Sequence, residues 1–265
     1  MSVEHLQVAV EAAQAAGALI RDAVTERGGP RQITHKGAID LVTEVDLAAE
    51  RCIVELLERR CPGVPVLAEE GSGASVAATR WVIDPLDGTT NFVHGFPAYA
   101  VSIGFQADGE VVAGCIYDPV RGETWTAAKG RGAARDGQPI RVSGAKTLGD
   151  SLLITGFPYD RRERAAYYLR FVQVMLERAH GVLRNGAASL DFCHVASGRA
   201  DGFWELGLAP WDMAAGSLLV REAGGRVTDL RGGPFRLEGR QLLATNGRIH
   251  DELALLLDGL LSSGE

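Results

Sequence analysis

The stretch Trp81-Val82-Ile83-Asp84-Pro85-Leu86-Asp87-Gly88-Thr89-Thr90-Asn91-Phe92 constrains this chain more than any other. Trp81 to Asp84 reads as a short apolar strand ending on a carboxylate, and a second carboxylate, Asp87, follows across a proline. Gly88, two threonines and an asparagine then read as a turn into a helix N-terminus. Carboxylates at a strand end beside backbone N–H groups suit a hard divalent cation and a phosphate together. Metal-dependent phosphate chemistry is therefore the first expectation.

The rest of the chain supplies the material for a substantial core. Of 265 residues, 46% are hydrophobic and 23% charged, enough for one large domain or two smaller ones. A net charge of −7 argues against a general nucleic-acid binder. It does not oppose an anionic substrate if bound cations supply positive charge locally. The four cysteines, Cys52, Cys61, Cys115 and Cys193, form no C-x-x-C pair and read as reduced thiols. Glu4 and His5 precede an Ala-rich amphipathic run where a leader would be basic, then apolar. With no apolar run near the roughly 20 residues that span a bilayer, a soluble cytoplasmic protein with no membrane partner is expected.

Periodicity predicts helices over 3–26, about Asp46–Arg60, 162–179, 188–198, Pro210 to about Ala223, and Ile249–Leu261. Cys61-Pro62-Gly63 and Gly224-Gly225 stop two of them. Strands are expected at Val64–Ala68, Trp81–Asp84, Val101–Phe105, Val111–Ile116, Leu152–Thr155, Phe203–Glu205, Arg226–Asp229 and Leu242–Thr245. Residues 28–40 read as a loop. Helices thus flank two strand regions, one mostly antiparallel, in a layered α/β arrangement without a linker.

Asp84 and Asp87 alone fit a simple turn, since Asp-Pro and Asp-Gly are common turn dipeptides. Three further acidic sites strengthen the metal reading. Glu69-Glu70 follows an apolar strand, Asp212 sits at a helix start behind Pro210-Trp211, and Asp46 lies behind Thr43. The last two also fit helix capping.

Together these residues resemble the inositol monophosphatase family of metal-dependent, lithium-sensitive phosphomonoesterases. The pattern D-P-[IL]-D-G-T-x-N-F is matched by Asp84 to Phe92. The pattern W-D-x-A-A-G followed by E-A-G-G is matched by Trp211 to Gly216 and Glu222 to Gly225. Asp40-Leu41-Val42-Thr43 with Asp46, and Gly186-Ala187-Ala188-Ser189-Leu190-Asp191, add to the likeness, which covers roughly residues 5–260. Gly156-Phe157-Pro158 and Arg184 look closest to bacterial members.

The resemblance implies an α/β (α+β) fold, the layered αβαβα sandwich of the inositol monophosphatase and fructose-1,6-bisphosphatase type. It implies one domain over 1–265, with halves at about 1–145 and 146–265. It also implies two to three Mg2+ ions. Glu69, Asp84 and the Leu86 carbonyl would bind the first, Asp84, Asp87 and Asp212 the second, and a weaker third would share Glu69. Thr89 and Glu69 would orient the attacking water, with Asp46 polarising the Thr89 hydroxyl, while the Gly88 and Thr89 amides bind phosphate. No Ser, Cys or His near the motif suggests a phosphoenzyme; His94 reads as structural or as part of the rim, and Lys36 as a loop lysine able to approach the site.

For the substrate, the Ala188 backbone, Glu205, Asp87 and Asp212 match positions where relatives contact the polyol. Glu205 also fits a satisfied edge-strand carboxylate. Thr90-Asn91-Phe92 resembles the inositol monophosphatase type, which points to a small phosphorylated polyol such as myo-inositol 1-phosphate. Fructose 1,6-bisphosphate and histidinol phosphate are the alternatives, with Arg161, Arg162 and Arg164 as candidate distal cations or merely a solvated helix start. A regulatory binding protein that kept the fold is the reading from another class; losing a metal carboxylate would mark it, and none is lost. A homodimer is expected, as in relatives, with the region of Phe157, Tyr159 and the 165–175 helix as its interface or simply core.

Overall fold

A computed structural model describes residues 2–30, 32–35, 40–71 and 77–263. In chain order its elements are α1 (Ser2–Arg27), β1 (Ile33–His35), β2 (Leu41–Thr43), α2 (Glu44–Arg60), β3 (Val66–Ala68), β4 (Arg80–Asp87), α3 (Thr89–Val93), β5 (Ala100–Ala107), β6 (Glu110–Asp118), β7 (Glu123–Ala128), β8 (Ala133–Arg135) and β9 (Gln138–Pro139). There follow β10 (Leu152–Thr155), α4 (Arg161–Arg178), β11 (Gly181–Leu183), α5 (Ala188–Ala196), β12 (Gly202–Leu206), α6 (Pro210–Glu222), β13 (Arg226–Thr228), β14 (Gln241–Thr245) and α7 (His250–Ser262).

Two sheets organise these elements. The first runs β3-β4-β5-β6-β7-β8-β9 and is antiparallel except where β3 lies parallel to β4. The second runs β11-β10-β12-β14-β13, parallel around β10 and antiparallel around β14. One apolar cluster joins α1 and α2 to the outer face of the first sheet, and another fills the space between the sheets around α5 and α6. A third packs α4 and α7 on the far face of the second sheet. The layers are therefore αβαβα. No helix among the described residues is long and apolar enough to cross a membrane.

The middle layer explains the small residues of the W-D-x-A-A-G pattern. A Cβ on Gly104 would lie 2.7 Å from Cβ of Ala214, and one on Gly114 would lie 2.9 Å from Cα of Ala215. Strands β5 and β6 thus present bare backbone to α6, and α6 answers with alanines. On its other side a Cβ at Gly216 would enter the Phe192 ring of α5. Close approach on both sides fixes where α6 begins, and so where Asp212 sits. The E-A-G-G pattern is scaffold too. Glu222 accepts the N–H groups of Gly130, Arg131 and Gly132 at 2.8, 3.1 and 2.8 Å, tying the β7–β8 turn to α6.

Several boundaries differ from expectation. Strand β1, inside the stretch read as loop, pairs antiparallel with β2. Helix α2 starts at Glu44, two residues early, because Thr43 caps it. The Thr43 hydroxyl accepts from Val45 and Asp46 amides while Asp46 accepts the Thr43 N–H at 2.9 Å. Strand β4 extends to Asp87 with all eight residues buried, since tertiary burial overrides the breaking tendency of Pro85. The β11 strand was not foreseen.

At the start of α7, His250 is fully buried between two hydroxyls, Nε2 2.9 Å from Thr228 Oγ1 and Nδ1 2.9 Å from Thr245 Oγ1. Burial, reinforced by Arg226, lowers its pKa to about 4. An unfolded histidine titrates near ~6.5, so between these values the unfolded chain binds more protons. The contribution of His250 is complete above pH ~6.5 and is lost as pH falls towards 4, on the order of 3 kcal/mol. Thermal melts from pH 7 to 5 should show a steeper stability loss for wild type than for His250→Gln. Parallel slopes would refute this.

Candidate active site

The spacing of Asp84 and Asp87 poses a geometric problem. In a regular strand residues i and i+3 point to opposite faces. Here the pairing with β5 shifts between Asp84, opposite Ser102, and Asp87, opposite Ala100, so three steps on β4 match two on β5. This bulge, placed where Pro85 has no N–H to give, turns both carboxylates to the same side. It also turns the Leu86 N–H onto Asp84 Oδ1 at 3.0 Å. The Leu86 carbonyl lies 3.1 Å from the Thr89 hydroxyl.

Gly88 follows in the left-handed region (φ 92°), where a Cβ would lie 2.9 Å from the Ala98 carbonyl. Only glycine fits there. The Gly88 and Thr89 amides open a helix of five residues. So short a helix has little macrodipole, and the aim of individual N–H groups matters more than the dipole. The Thr89 hydroxyl also lies 2.9 Å from Asp46 Oδ1. Asp46 is buried, which raises its pKa despite three hydrogen bonds from Thr43 and Thr89. Giving its proton to Asp46 leaves the Thr89 oxygen an acceptor towards the pocket.

Glu69 follows β3, its N–H on the Ile83 carbonyl at 3.3 Å. Asp212 is the third residue of α6, not its cap. It takes the Ala209 N–H on Oδ2 at 2.7 Å, with Pro210 at the first helical position. Glu69, Asp84, Leu86, Asp87, Gly88, Thr89, Ala188, Glu205 and Asp212 all line one cavity. Asp46 stands behind it through Thr89. Glu205 is not on an edge: β12 lies between β10 and β14. Its carboxyl packs where a Gly156 side chain would go, and burial with Asp191 and Asp87 nearby pushes it well above the usual carboxylate range.

Of the three candidate arginines, Arg161 lines the cavity, joined there by Arg184; Arg162 and Arg164 do not. His94 is exposed and outside it. Lys36 lies outside the described residues. Two motif residues have roles the sequence did not indicate. Ser189 gives its N–H (2.7 Å) and hydroxyl to Asp87 Oδ2, and the Ala188 backbone also hydrogen-bonds Asp87. Asn91 spends its amide on the Ala98 and Asn185 carbonyls at 2.7 and 2.9 Å, so it braces the loop and does not read substrate. The Ser189–Asp87 and Asn91–Asn185 contacts, 102 and 94 residues apart, leave no local sequence signal.

The electrostatics say what this cavity lacks. Asp84 is pushed well above the normal range, first by burial and then by Glu69, Asp87 and Asp212. Asp212 is pushed up to about 8 by burial and Asp87, and burial raises Asp87. Carboxylates crowded this way are stable as anions only beside cations. The donors are all oxygens, which fits a hard divalent ion. Among the described residues no three acidic, imidazole or thiol groups close into a metal cage.

The model of the inositol monophosphatase family matches residues 2–260. This chain belongs to that family. The inositol-1-monophosphatase of Synechocystis is 45% identical over 255 residues, 95% of this chain and 88% of that protein. The Nus factor SuhB of Pseudomonas aeruginosa is 47% identical over 247 residues, 91% of each. The crystal structure of the extragenic suppressor protein suhB from Bartonella henselae superposes with a TM-score of 0.88 at 40% identity, over 95% of this chain and 97% of that one. The αβαβα layering is thus the inositol monophosphatase fold, and the family is one of phosphatases that generally depend on metal.

Proposed function

We propose that this inositol monophosphatase family member is a Mg2+-dependent phosphomonoesterase. Its substrates are myo-inositol 1-phosphate and related small sugar-alcohol monophosphates, hydrolysed by in-line attack of water. The observation that carries this reading is the convergence of Glu69 after β3, Asp84 and Asp87 on β4 and Asp212 on α6 on one cavity beside Thr89. Both halves of the chain supply it, which supports one functional domain over 1–265.

Glu69, Asp84, the Leu86 carbonyl, Asp87 and Asp212 would hold two to three ions. Bound there, Mg2+ supplies Lewis acidity that activates water and offsets charge on the leaving alkoxide. The chain does the rest. Thr89, with its proton on Asp46, accepts a hydrogen bond from the attacking water, and Glu69 orients the same water. The Gly88 and Thr89 amides hold phosphate oxygens. The Ala188 N–H, Glu205, Asp87 and Asp212 face the polyol hydroxyls. Exposed leucines, Leu169 and Leu176 on α4 and Leu183 on the edge strand β11, suit the homodimer proposed from relatives, which light scattering would report as twice the monomer mass.

The name Nus factor carried by the Pseudomonas relative favours a second reading, a regulatory protein that binds a transcription partner and keeps the fold. A panel of myo-inositol 1-phosphate, glycerol 2-phosphate, fructose 1,6-bisphosphate and histidinol phosphate separates the two. The polyol monophosphates should be cleaved fastest. Faster cleavage of the bisphosphate would move the assignment to a fructose bisphosphatase, and no release from any would favour the binding protein.

A further inference from the structure

Helix α2 carries two buried carboxylates one turn apart, Asp46 and Glu50, each 1% exposed. Asp46 serves Thr89. Glu50, at the neighbouring position on the same helical face, accepts the backbone N–H of Glu70 on Oε2 at 2.7 Å. A charged acceptor makes a strong bond of that kind, and a fully buried carboxylate persists only where polar partners hold it. The bond lies beside Glu69, the one acidic residue of the site that sits in neither a helix nor a strand. Glu69 comes immediately after β3, whose pairing with β4 ends at Ala68 opposite Ile83. Beyond that point Glu69 gives its N–H to the Ile83 carbonyl at 3.3 Å, a long bond, and Gly71 turns the chain away (φ 97°).

We infer that Glu50 is a positioning residue for the metal site: by pinning the Glu70 amide it fixes the Glu69 backbone and aims the Glu69 carboxyl at Asp84. Helix α2 thereby braces both sides of the reacting centre, the water side through Asp46 and the ion side through Glu50. The inference rests on the metal-dependent reading above, and it assigns Glu50 to no contact with ion or substrate.

The test is Mn2+ binding to metal-free protein, followed by calorimetry or by the spin signal of free Mn2+, with melting temperature recorded for each protein. Wild type should bind. Glu50→Ala should bind at least about tenfold more weakly, within the ~10–100-fold range for lost outer-shell partners, while kcat at saturating metal stays within about threefold. Glu50→Gln keeps an acceptor but loses the charge, and should fall about threefold. A role in folding alone would lower the melting temperature and leave Mn2+ affinity unchanged in both variants, which would overturn the inference. If Glu50→Ala does not fold, wild-type affinity in Glu50→Gln overturns it equally. Failure of wild type to bind Mn2+ would instead sink the metal reading itself.

Discussion

Asp84→Asn is expected to reduce phosphate release at saturating Mg2+ by at least about a thousandfold while making the metal-free protein more stable. The first effect follows from position. Asp84 reaches hydrogen-bonding range of both Glu69 and Asp212, and in the proposed reading it is the carboxylate the two ions share. Ion catalysis of this type is worth several kcal/mol, and each ~1.36 kcal/mol is a factor of ten. The second effect follows from repulsion. Burial and three acidic neighbours raise the Asp84 pKa. A raised carboxyl contributes stability that is complete below its unfolded value and lost as pH rises through the folded one. At pH 8 without metal the aspartate is therefore a liability that asparagine lacks. Melts in chelator should show the variant above wild type, and in Mg2+ below it. Retained turnover, or a variant less stable in both conditions, would contradict the bridging role.

Gly114→Val should be among the most damaging single changes away from the cavity. The new Cβ would begin 2.9 Å from the Ala215 Cα and 3.1 Å from its carbonyl oxygen, both backbone atoms that no rotamer change can move. Helix α6 would have to lift off the sheet. Overpacking costs typically ~1–3 kcal/mol, and more where backbone must shift. At ~2–4 °C per kcal/mol for a chain of this size, a fall of about 10 °C is expected. Because Asp212 rides on the first turn of α6, Mg2+ should also stabilise the variant less than it does wild type. An unchanged melting temperature would show that the sheet and α6 are not in the contact described.

Much of this site was legible because its chemistry is local. The Asp84–Phe92 stretch encodes strand, turn and helix start within a dozen residues, and Pro210-Trp211-Asp212 announces its helix by capping chemistry. The layering could be expected from helices flanking two strand regions. What could not be read is whatever depends on register. The bulge that turns Asp84 and Asp87 to one side exists only through pairing with β5. Ser189, Asn91 and Glu50 act on partners far along the chain. Strand β11 is three residues long and takes its place through pairing with β10. Asn91 is the instructive case: as a motif residue it pointed towards substrate choice, yet its amide is committed to two backbone carbonyls. Motif membership marked the residue without revealing which job it does.

The most direct measurement is release of inorganic phosphate from myo-inositol 1-phosphate by the purified full chain, with Mg2+ and again after chelation. Mg2+-dependent turnover that disappears with chelator and returns when Mg2+ is restored is the predicted result. No release with Mg2+ present, or release that chelation leaves untouched, would contradict the reading of the four-carboxylate cavity as a metal-dependent phosphatase site.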